Sequence, residues 1–176
     1  MSDQTLIAPA EFADKILAFY HQQGRKDLPW QQNPTAYRVW VSEIMLQQTQ
    51  VKTVIPYYQK FMARFKTIKQ LAESDLDEVL HHWQGLGYYS RARNLHKCAQ
   101  QVMHEFKGEF PQDLKAMQSL PGIGRSTAGA VLSLAYGKPT PILDGNVKRV
   151  LARAFLVEGW RGHSAAAKVL WQLTED

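Results

Sequence analysis

The sequence has almost no cysteine and no long hydrophobic run, and these two shortages exclude several classes of protein. Its single cysteine, Cys98, excludes a disulfide framework and is typical of a reducing cytoplasm. One cysteine also cannot hold a structural zinc ion or an iron–sulfur cluster by itself. No apolar stretch approaches the roughly 20 residues of a membrane span, and the N-terminus lacks the pattern of an export signal. We therefore expect a cytoplasmic protein without a membrane partner.

Alternating runs of strand length are also missing, whereas apolar residues recur at helical spacing along almost the whole chain. The spacing predicts an all-α protein with about nine short helices. Three signals predict where helices begin: the pair Asn33-Pro34, the residue Thr49, and a capping box formed by Ser74 and Asp77.

The composition is that of an ordinary globular protein with a modest excess of positive charge. Of the 176 residues 45% are hydrophobic, and 21 lysines and arginines against 16 aspartates and glutamates give a formal net charge of +5. This balance permits a nucleic-acid partner but does not require one. Arg91, Arg93 and Lys97 share one predicted helix, and the simplest interpretation of each is a solvated surface residue.

A Pro-Gly-Ile-Gly turn joins two predicted helices near residues 120–127. Gly122 and Gly124 allow the backbone to turn with its N–H groups exposed, and the second helix presents the positive end of its dipole there. A plain tight turn between packed helices has a similar pattern. The two flanking helices and the adjacent Arg125 favour a hairpin that binds phosphate, which would contact DNA without reading its sequence.

Two acidic residues are candidates for catalysis. Glu43 lies on a predicted helix that has few other polar side chains, Arg38 and Ser42, so we expect it to be at least partly buried. Burial raises the pKa of a carboxyl group, which could then donate a proton near neutral pH. A surface glutamate paired with Arg38 or Lys52 is equally compatible with the sequence. Asp144 is positioned as an N-cap, and a cap could also hold a fixed negative charge opposite a developing cation.

Two aromatic residues lie in or beside turns, where an exposed ring could stack on a nucleic-acid base. These residues are Trp30 and Tyr88. Packing in a hydrophobic core is the more common fate of such rings, and the sequence leaves both interpretations open.

Five blocks of sequence together resemble the helix-hairpin-helix DNA glycosylase superfamily, which includes endonuclease III. They are GRKDLPW (24–30), VSEIMLQQTQV (41–51), GLGYYSRARNLH (85–96), LPGIGRSTAGA (120–130) and ILDGNVKRVLAR (142–153). The resemblance extends from about Phe12 to Val157 and is strongest to the adenine DNA glycosylases, which remove adenine mispaired with 8-oxoguanine. Five blocks in the family's order are far more specific than any single motif.

The resemblance implies an architecture of two helical lobes with double-stranded DNA in the cleft between them. It predicts a six-helix barrel with the helix-hairpin-helix over 28–140, and a truncated second lobe formed by 1–27 and 141–176. In the family the second lobe ends in four cysteines that hold a [4Fe–4S] cluster, and these ligands are absent from this chain. Because the chain ends after Thr174-Glu175-Asp176 without a helix breaker, we expect it to be a fragment, and we expect a monomer.

The resemblance also assigns roles in base removal. The target adenine would be flipped out of the duplex into a pocket. Glu43 matches the general acid that protonates the adenine ring, and Asp144 matches the carboxylate that stabilises the cationic sugar. Asn146 matches a residue near that sugar and near the water molecule that attacks it. Ser126 stands where members that also cut the DNA backbone carry a lysine, and a serine cannot form a Schiff base.

The other matched residues would contact DNA. Those around the flipped adenine would be Arg25, Trp30 and Leu46. Those that insert into the base stack near the mispair would be Gln48 and Tyr88, with Thr49 and Leu86 as neighbours. Those that bind phosphate or form the hairpin would be Gly122, Ile123, Gly124, Arg125 and Ser126.

The sequence therefore predicts a monofunctional DNA glycosylase that hydrolyses the N-glycosidic bond of adenine opposite 8-oxoguanine or guanine and leaves an abasic site. Two alternatives remain open at this stage. One is a pyrimidine-lesion glycosylase and lyase of the endonuclease III type, against which Ser126 argues. The other is a DNA-binding fragment without catalytic activity.

Overall fold

All regular structure in the computed structural model is helical, and the model describes residues 7–157 and 164–175. This confirms the prediction of an all-α protein, with ten α-helices in these ranges rather than about nine. The helices are α1 (Pro9–Gln23), α2 (Ala36–Leu46), α3 (Val51–Arg64), α4 (Ile68–Glu73), α5 (Leu76–Trp83), α6 (Ser90–Phe106), α7 (Leu114–Gln118), α8 (Arg125–Tyr136), α9 (Gly145–Ala154) and α10 (Ser164–Glu175), with a 3₁₀ turn at Pro29–Gln31. None of the described helices combines the length and the apolar character that a membrane span requires.

The chain divides into two compact units. The larger unit is Asp27–Thr140, and the smaller one combines Met1–Lys26 with Pro141–Asp176. The larger unit contains α2 to α8, and the smaller one contains α1, α9 and α10. The barrel and the truncated lobe that the resemblance implies stay predictions.

Helix α2 is the central helix of the larger unit. Seven of its eleven residues are buried, among them Trp40, Val41 and Met45, which are fully shielded from solvent. A helix that is apolar on nearly all sides is stable only inside a core, and α2 packs against α3, α6 and α8. The backbone position of any polar residue on this helix is therefore set by the packed neighbours.

The start of α2 differs from the prediction made from Asn33-Pro34. The helix begins at Ala36, and the hydroxyl of Thr35 caps it by accepting a hydrogen bond from the Arg38 amide at 3.3 Å. Asn33 instead adopts a left-handed backbone conformation with φ of 51°. Asparagine tolerates this conformation better than most residues, so it serves the turn before the helix rather than the cap.

Two further predicted helix starts are one residue early. The N-cap position of α3 is Gln50 rather than Thr49, and that of α5 is Asp75 rather than Ser74. The hydroxyls of Thr49 and Ser74 each donate to a preceding backbone carbonyl, at 3.4 Å and 2.7 Å. Serine and threonine compete for backbone carbonyls in this way, which explains why they mark the region of a helix boundary without fixing its position.

The smaller unit has its own apolar cluster. Leu143, Leu151 and Leu170 are its buried members. The Phe12 ring of α1 meets the Phe155 ring edge to face, with the ring centres 5.2 Å apart. These contacts hold the segment before α9, which carries Asp144, against α9 and α10.

One hydrogen bond in the larger unit provides a test of its packing. The buried hydroxyl of Tyr37 donates to the Phe65 carbonyl at 2.7 Å, and burial raises the pKa of Tyr37. Tyr37→Phe would leave this carbonyl without its donor, and we expect a loss of about 1–3 kcal/mol in the free energy of unfolding. Urea denaturation would measure it. Tyr89→Phe, at an exposed tyrosine, is the control. Equal stability of the two variants would contradict this assignment.

Candidate functional site

The turn between α7 and α8 exposes its backbone, so that another molecule could approach the backbone closely. Gly122 has φ of +75°, and a Cβ atom there would lie 2.9 Å from the Cβ of Asn94 on α6. The turn is fixed to the core by the buried side chains of Leu120 and Ile123, and the Ile123 amide donates to the Leu120 carbonyl at 3.1 Å. Only glycine therefore suits position 122, and its backbone is exposed.

The N-terminus of α8 extends this turn. Gly124 is its exposed N-cap and provides no side-chain acceptor for the first amides of the helix. Such amides can donate to an anion, and the helix dipole favours negative charge at the same place. Arg125 and Ser126 follow in the first helical turn, and both are half-buried. The hairpin can therefore hold a phosphate group.

Glu43 lies in the second half of α2 and is half-buried, with buried Ser42 and Ile44 on either side of it in the sequence. The structure thus confirms the expectation of partial burial. A raised pKa for this carboxyl group stays a prediction. Because α2 is surrounded by α3, α6 and α8, the position of the Glu43 backbone is set by the core of the larger unit.

Two exposed residues lie on turns near the C-terminal end of α2. Gln48 follows that helix, and Tyr88 precedes α6. Both have a left-handed backbone conformation, with φ of 58° and 49°, and the Tyr88 side chain is 60% exposed. A cleft of about 400 Å³ lies between these turns and is lined by Gln47, Gln48, Tyr88, Ser90 and Arg91. The ring of Tyr88 is thus available for stacking, as one of the two interpretations of the sequence requires.

The C-terminal end of α2 also contacts α8, the helix that follows the hairpin turn. The side-chain amide of Gln47 donates to the Thr127 hydroxyl on α8 at 3.4 Å. A second cavity, of about 250 Å³, lies between the α2 end, the start of α6 and the hairpin residues Pro121 and Gly122. The hairpin and the two turns therefore belong to one continuous surface of the larger unit.

Trp30, unlike Tyr88, is buried. It meets the Tyr58 ring edge to face, with the ring centres 5.4 Å apart. Leu86 is also buried, whereas Leu46 and Thr49 are half-buried. Arg25 is exposed and belongs to the smaller unit. The adenine contacts predicted for Arg25, Trp30 and Leu46 stay predictions.

Asp144 and Asn146 lie in the smaller unit at the start of α9. The Oδ1 atom of Asp144 accepts a hydrogen bond from the Val147 amide at 2.7 Å, which confirms the predicted N-cap. Asn146 is exposed, and its side-chain oxygen accepts from Arg149 at 2.8 Å. The cap fixes the Asp144 carboxylate at an exposed position, where a cationic group could approach it.

A sequence model described as the HhH-GPD superfamily of base excision DNA repair proteins matches residues 41–176, which is well over half of the chain. This chain belongs to the HhH-GPD superfamily. The match includes the helix of Glu43, the hairpin and the cap of Asp144, and it confirms the resemblance inferred from the five sequence blocks.

Other members of the superfamily are closely similar in sequence. The adenine DNA glycosylase of Buchnera aphidicola subsp. Acyrthosiphon pisum is 53% identical over 164 residues, which cover 93% of this chain and 47% of that protein. The adenine DNA glycosylase of Homo sapiens is 43% identical over 173 residues, covering 93% of this chain and 32% of that protein. The chain thus spans about half or less of the length of these curated relatives.

Solved structures of HhH-GPD-like enzymes share the fold. A thermostable thymine-DNA glycosylase superposes with a TM-score of 0.82 at 28% identity, covering 94% of this chain and 77% of that chain. A non-covalent complex of endonuclease III with DNA superposes with a TM-score of 0.77 at 21% identity, covering 97% of this chain and 78% of that one. At this lower identity the second likeness concerns the fold alone.

The residues of this HhH-GPD chain do not fit the iron–sulfur cluster that the resemblance implies for the family. Its single cysteine, Cys98, is buried on α6, where burial raises the pKa of the thiol to about 12. A thiol must lose its proton to bind iron. Over residues 7–157 and 164–175, no group of three or more histidine, cysteine, aspartate or glutamate side chains could hold a metal ion. This chain therefore does not provide the cluster's ligands.

Arg91 lines both cavities of this region, a role that its sequence pattern did not indicate. It was expected on a solvated surface, yet it is buried, with 9% of its area exposed. The signal that could have located it is the helical spacing of α6, because Arg91 shares one stripe with the buried residues Leu95, Cys98 and Val102. Its position on that stripe indicates the interior, although its charge suggested the surface.

Proposed function

We propose that this protein is a DNA glycosylase that removes adenine mispaired with 8-oxoguanine or guanine from double-stranded DNA. The observation that carries the proposal is the placement of half-buried Glu43 on α2, in the same unit as the exposed turn residues Gln48 and Tyr88 and the hairpin. A proton donor, groups that can enter a base stack and a phosphate-binding turn are what base removal from a duplex needs. The identity to curated adenine DNA glycosylases supports adenine as the base.

Binding would begin at the phosphate backbone. The exposed amides around Gly122 and Gly124 would donate to phosphate oxygens, and the net charge of +5 favours the approach of DNA. Gln48 and Tyr88 would insert beside the mispair and help to displace the adenine from the stack. Thr49 and Leu86 would lie next to them, and Arg25, Trp30 and Leu46 would contact the displaced base.

Bond cleavage would then depend on two carboxyl groups. The acid form of Glu43 donates its proton to a ring nitrogen of adenine, so the base can leave with the electron pair of the C1′–N9 bond. The sugar becomes an oxocarbenium ion, which the negative charge of Asp144 stabilises. Water adds to C1′ and returns a proton to the Glu43 carboxylate, with Asn146 near the same water. The products are free adenine and an abasic site.

Ser126 supports hydrolysis over strand cleavage. A lyase of this superfamily would use an amine at this position to form a Schiff base with the opened sugar, and the hydroxyl of serine cannot form one. Ser126 lies in the first turn of α8, directly after the hairpin. We therefore propose a monofunctional enzyme rather than a pyrimidine-lesion glycosylase with lyase activity.

A panel of duplexes tests this function. End-labelled duplexes would carry adenine opposite 8-oxoguanine, guanine or thymine, or an oxidised thymine opposite adenine. We expect base loss, detected as alkali-labile sites, at adenine opposite 8-oxoguanine and guanine only. The adenine–thymine duplex is the control for specificity. Base loss at the oxidised thymine, with none at either adenine mispair, would contradict the proposal and favour the endonuclease III-like alternative.

A further inference from the structure

The buried guanidinium group of Arg91 lies between two turns of the larger unit. Its partners include five backbone carbonyls and one hydroxyl. An arginine in a protein interior usually pairs with a carboxylate, whereas these acceptors are mostly main-chain oxygens. The guanidinium group therefore constrains the backbone conformation of the segments that it binds.

The first nitrogen, Nη1, binds the C-terminal end of α2. It donates to the carbonyls of Ile44 and Met45, at 3.0 Å each, and to the carbonyl of Gln47. The last carbonyls of a helix have no amide partner within the helix. Arg91 supplies the missing donors and so fixes the direction in which the chain leaves α2 toward Gln48.

The second nitrogen, Nη2, binds the turn before α6. It donates to the carbonyls of Leu86 and Gly87 and to the Thr49 hydroxyl, at 3.3 Å each. The guanidinium carbon also lies 5.4 Å from the ring centre of Tyr88 and 5.5 Å from that of Trp83. Because the guanidinium group is planar and rigid, its two nitrogens set the spacing between the two turns.

The residues at the tips of these turns need such support. Gln48 and Tyr88 both have positive φ, a conformation that is strained for a non-glycine residue and persists only where neighbouring contacts impose it. Arg91 contacts the backbone on the N-terminal side of each residue and a hydroxyl on the C-terminal side of Gln48. Both exposed side chains thus depend on the same buried group.

We propose that Arg91 is a positioning residue that holds Gln48 and Tyr88 as a pair, at the separation required to enter the base stack together. The inference rests on the proposed function, because it assigns a purpose to the two exposed residues. Lysine would retain the charge at this position, but its ammonium group is a compact donor and cannot bridge both turns as the planar fork does.

The test compares Arg91→Lys with Arg93→Lys, the same change at an exposed position of the same helix. Single-turnover excision at saturating protein should fall roughly 100-fold in Arg91→Lys, because misplacement of about 1 Å has effects of this size. Affinity for undamaged duplex should not change, because the hairpin supplies those contacts. Amide hydrogen exchange should accelerate in both 46–49 and 85–89 and remain unchanged in α8. Arg93→Lys should resemble the parent in all three measurements.

Several results would overturn the inference. These are unchanged excision in Arg91→Lys, faster exchange in only one of the two turns, or equal losses of excision and of affinity for undamaged DNA. If Arg91→Lys does not fold, NMR of the parent protein labelled with ¹⁵N-arginine provides the test. Hindered rotation of the Arg91 guanidinium, seen as separate Nη signals, would support the inference, and free rotation would overturn it. A parent protein that excises no adenine would contradict the proposed function, while hydrogen exchange would still test Arg91.

Discussion

Glu43→Gln should slow excision of adenine by roughly 100-fold to 10,000-fold in the single-turnover rate, the range expected for loss of a general acid. Glutamine has nearly the shape of glutamate, so the packing of half-buried position 43 within α2 should survive. The amide cannot transfer a proton to the leaving adenine, and it cannot accept one from water afterwards. Quenched-flow measurement on an adenine–8-oxoguanine duplex would give the rate.

The control for this change is Glu73→Gln, which removes the same charge from an exposed position on α4. Glu73 lies 3.7 Å from Lys69, a surface pair that should contribute little to stability. We expect this variant to excise adenine at the parent rate, and we expect both variants to bind the duplex as the parent does. An excision rate for Glu43→Gln equal to that of Glu73→Gln would remove the role assigned to Glu43.

Asp144→Asn should decrease excision by roughly 100-fold to 1,000-fold, the scale of a single group that stabilises charge in a transition state. The change separates the two functions of this side chain. Asparagine and aspartate are about equally good N-caps, so the hydrogen bond to the Val147 amide can be retained. Only the negative charge opposite the developing sugar cation is lost. Thermal denaturation and single-turnover kinetics on the same samples would measure both effects.

Asp113→Asn provides the matched control. Asp113 caps α7 in the same way, with Oδ1 accepting from the Ala116 amide at 2.9 Å. Both variants should unfold within a few degrees of the parent, but only Asp144→Asn should lose activity. If Asp144→Asn unfolds early and its remaining folded protein excises adenine at the parent rate, Asp144 is a structural cap and the electrostatic role is wrong.

The fold class and most helices could be predicted from the sequence because their signals are local. Helical spacing of apolar residues located α2 and α6, and Gly137 marked the end of α8, where it has φ of 65°. The starts of α2, α3 and α5 were less accurate. In each case the predicted polar residue formed part of the preceding turn or donated a hydrogen bond to a backbone carbonyl. A nearby residue occupied the N-cap position, and the sequence pattern did not tell the two apart.

Parts of the candidate site could be predicted where a residue's type and its immediate sequence neighbours indicate its environment. Partial burial of Glu43 followed from an apolar helix, and the cap formed by Asp144 followed from the Asp-Gly-Asn start of α9. The role of Arg91 could not be predicted in this way, because its partners lie 42 to 47 residues earlier in the chain as well as in the adjacent turn. Contacts of this range depend on how α2 packs against α6, which the local pattern does not encode.

The central claim is that the glycosidic bond is hydrolysed: the protein protonates adenine, adenine leaves, and water adds to C1′ of the sugar. Excision in water enriched in ¹⁸O, followed by mass spectrometry of the products, tests it most directly. Hydrolysis predicts free adenine, one ¹⁸O atom at C1′ of an intact abasic strand after prompt reduction with borohydride, and no covalent adduct between protein and DNA. A protein–DNA adduct trapped by borohydride, or a strand cut at the lesion, would contradict hydrolysis by Glu43 and a water molecule.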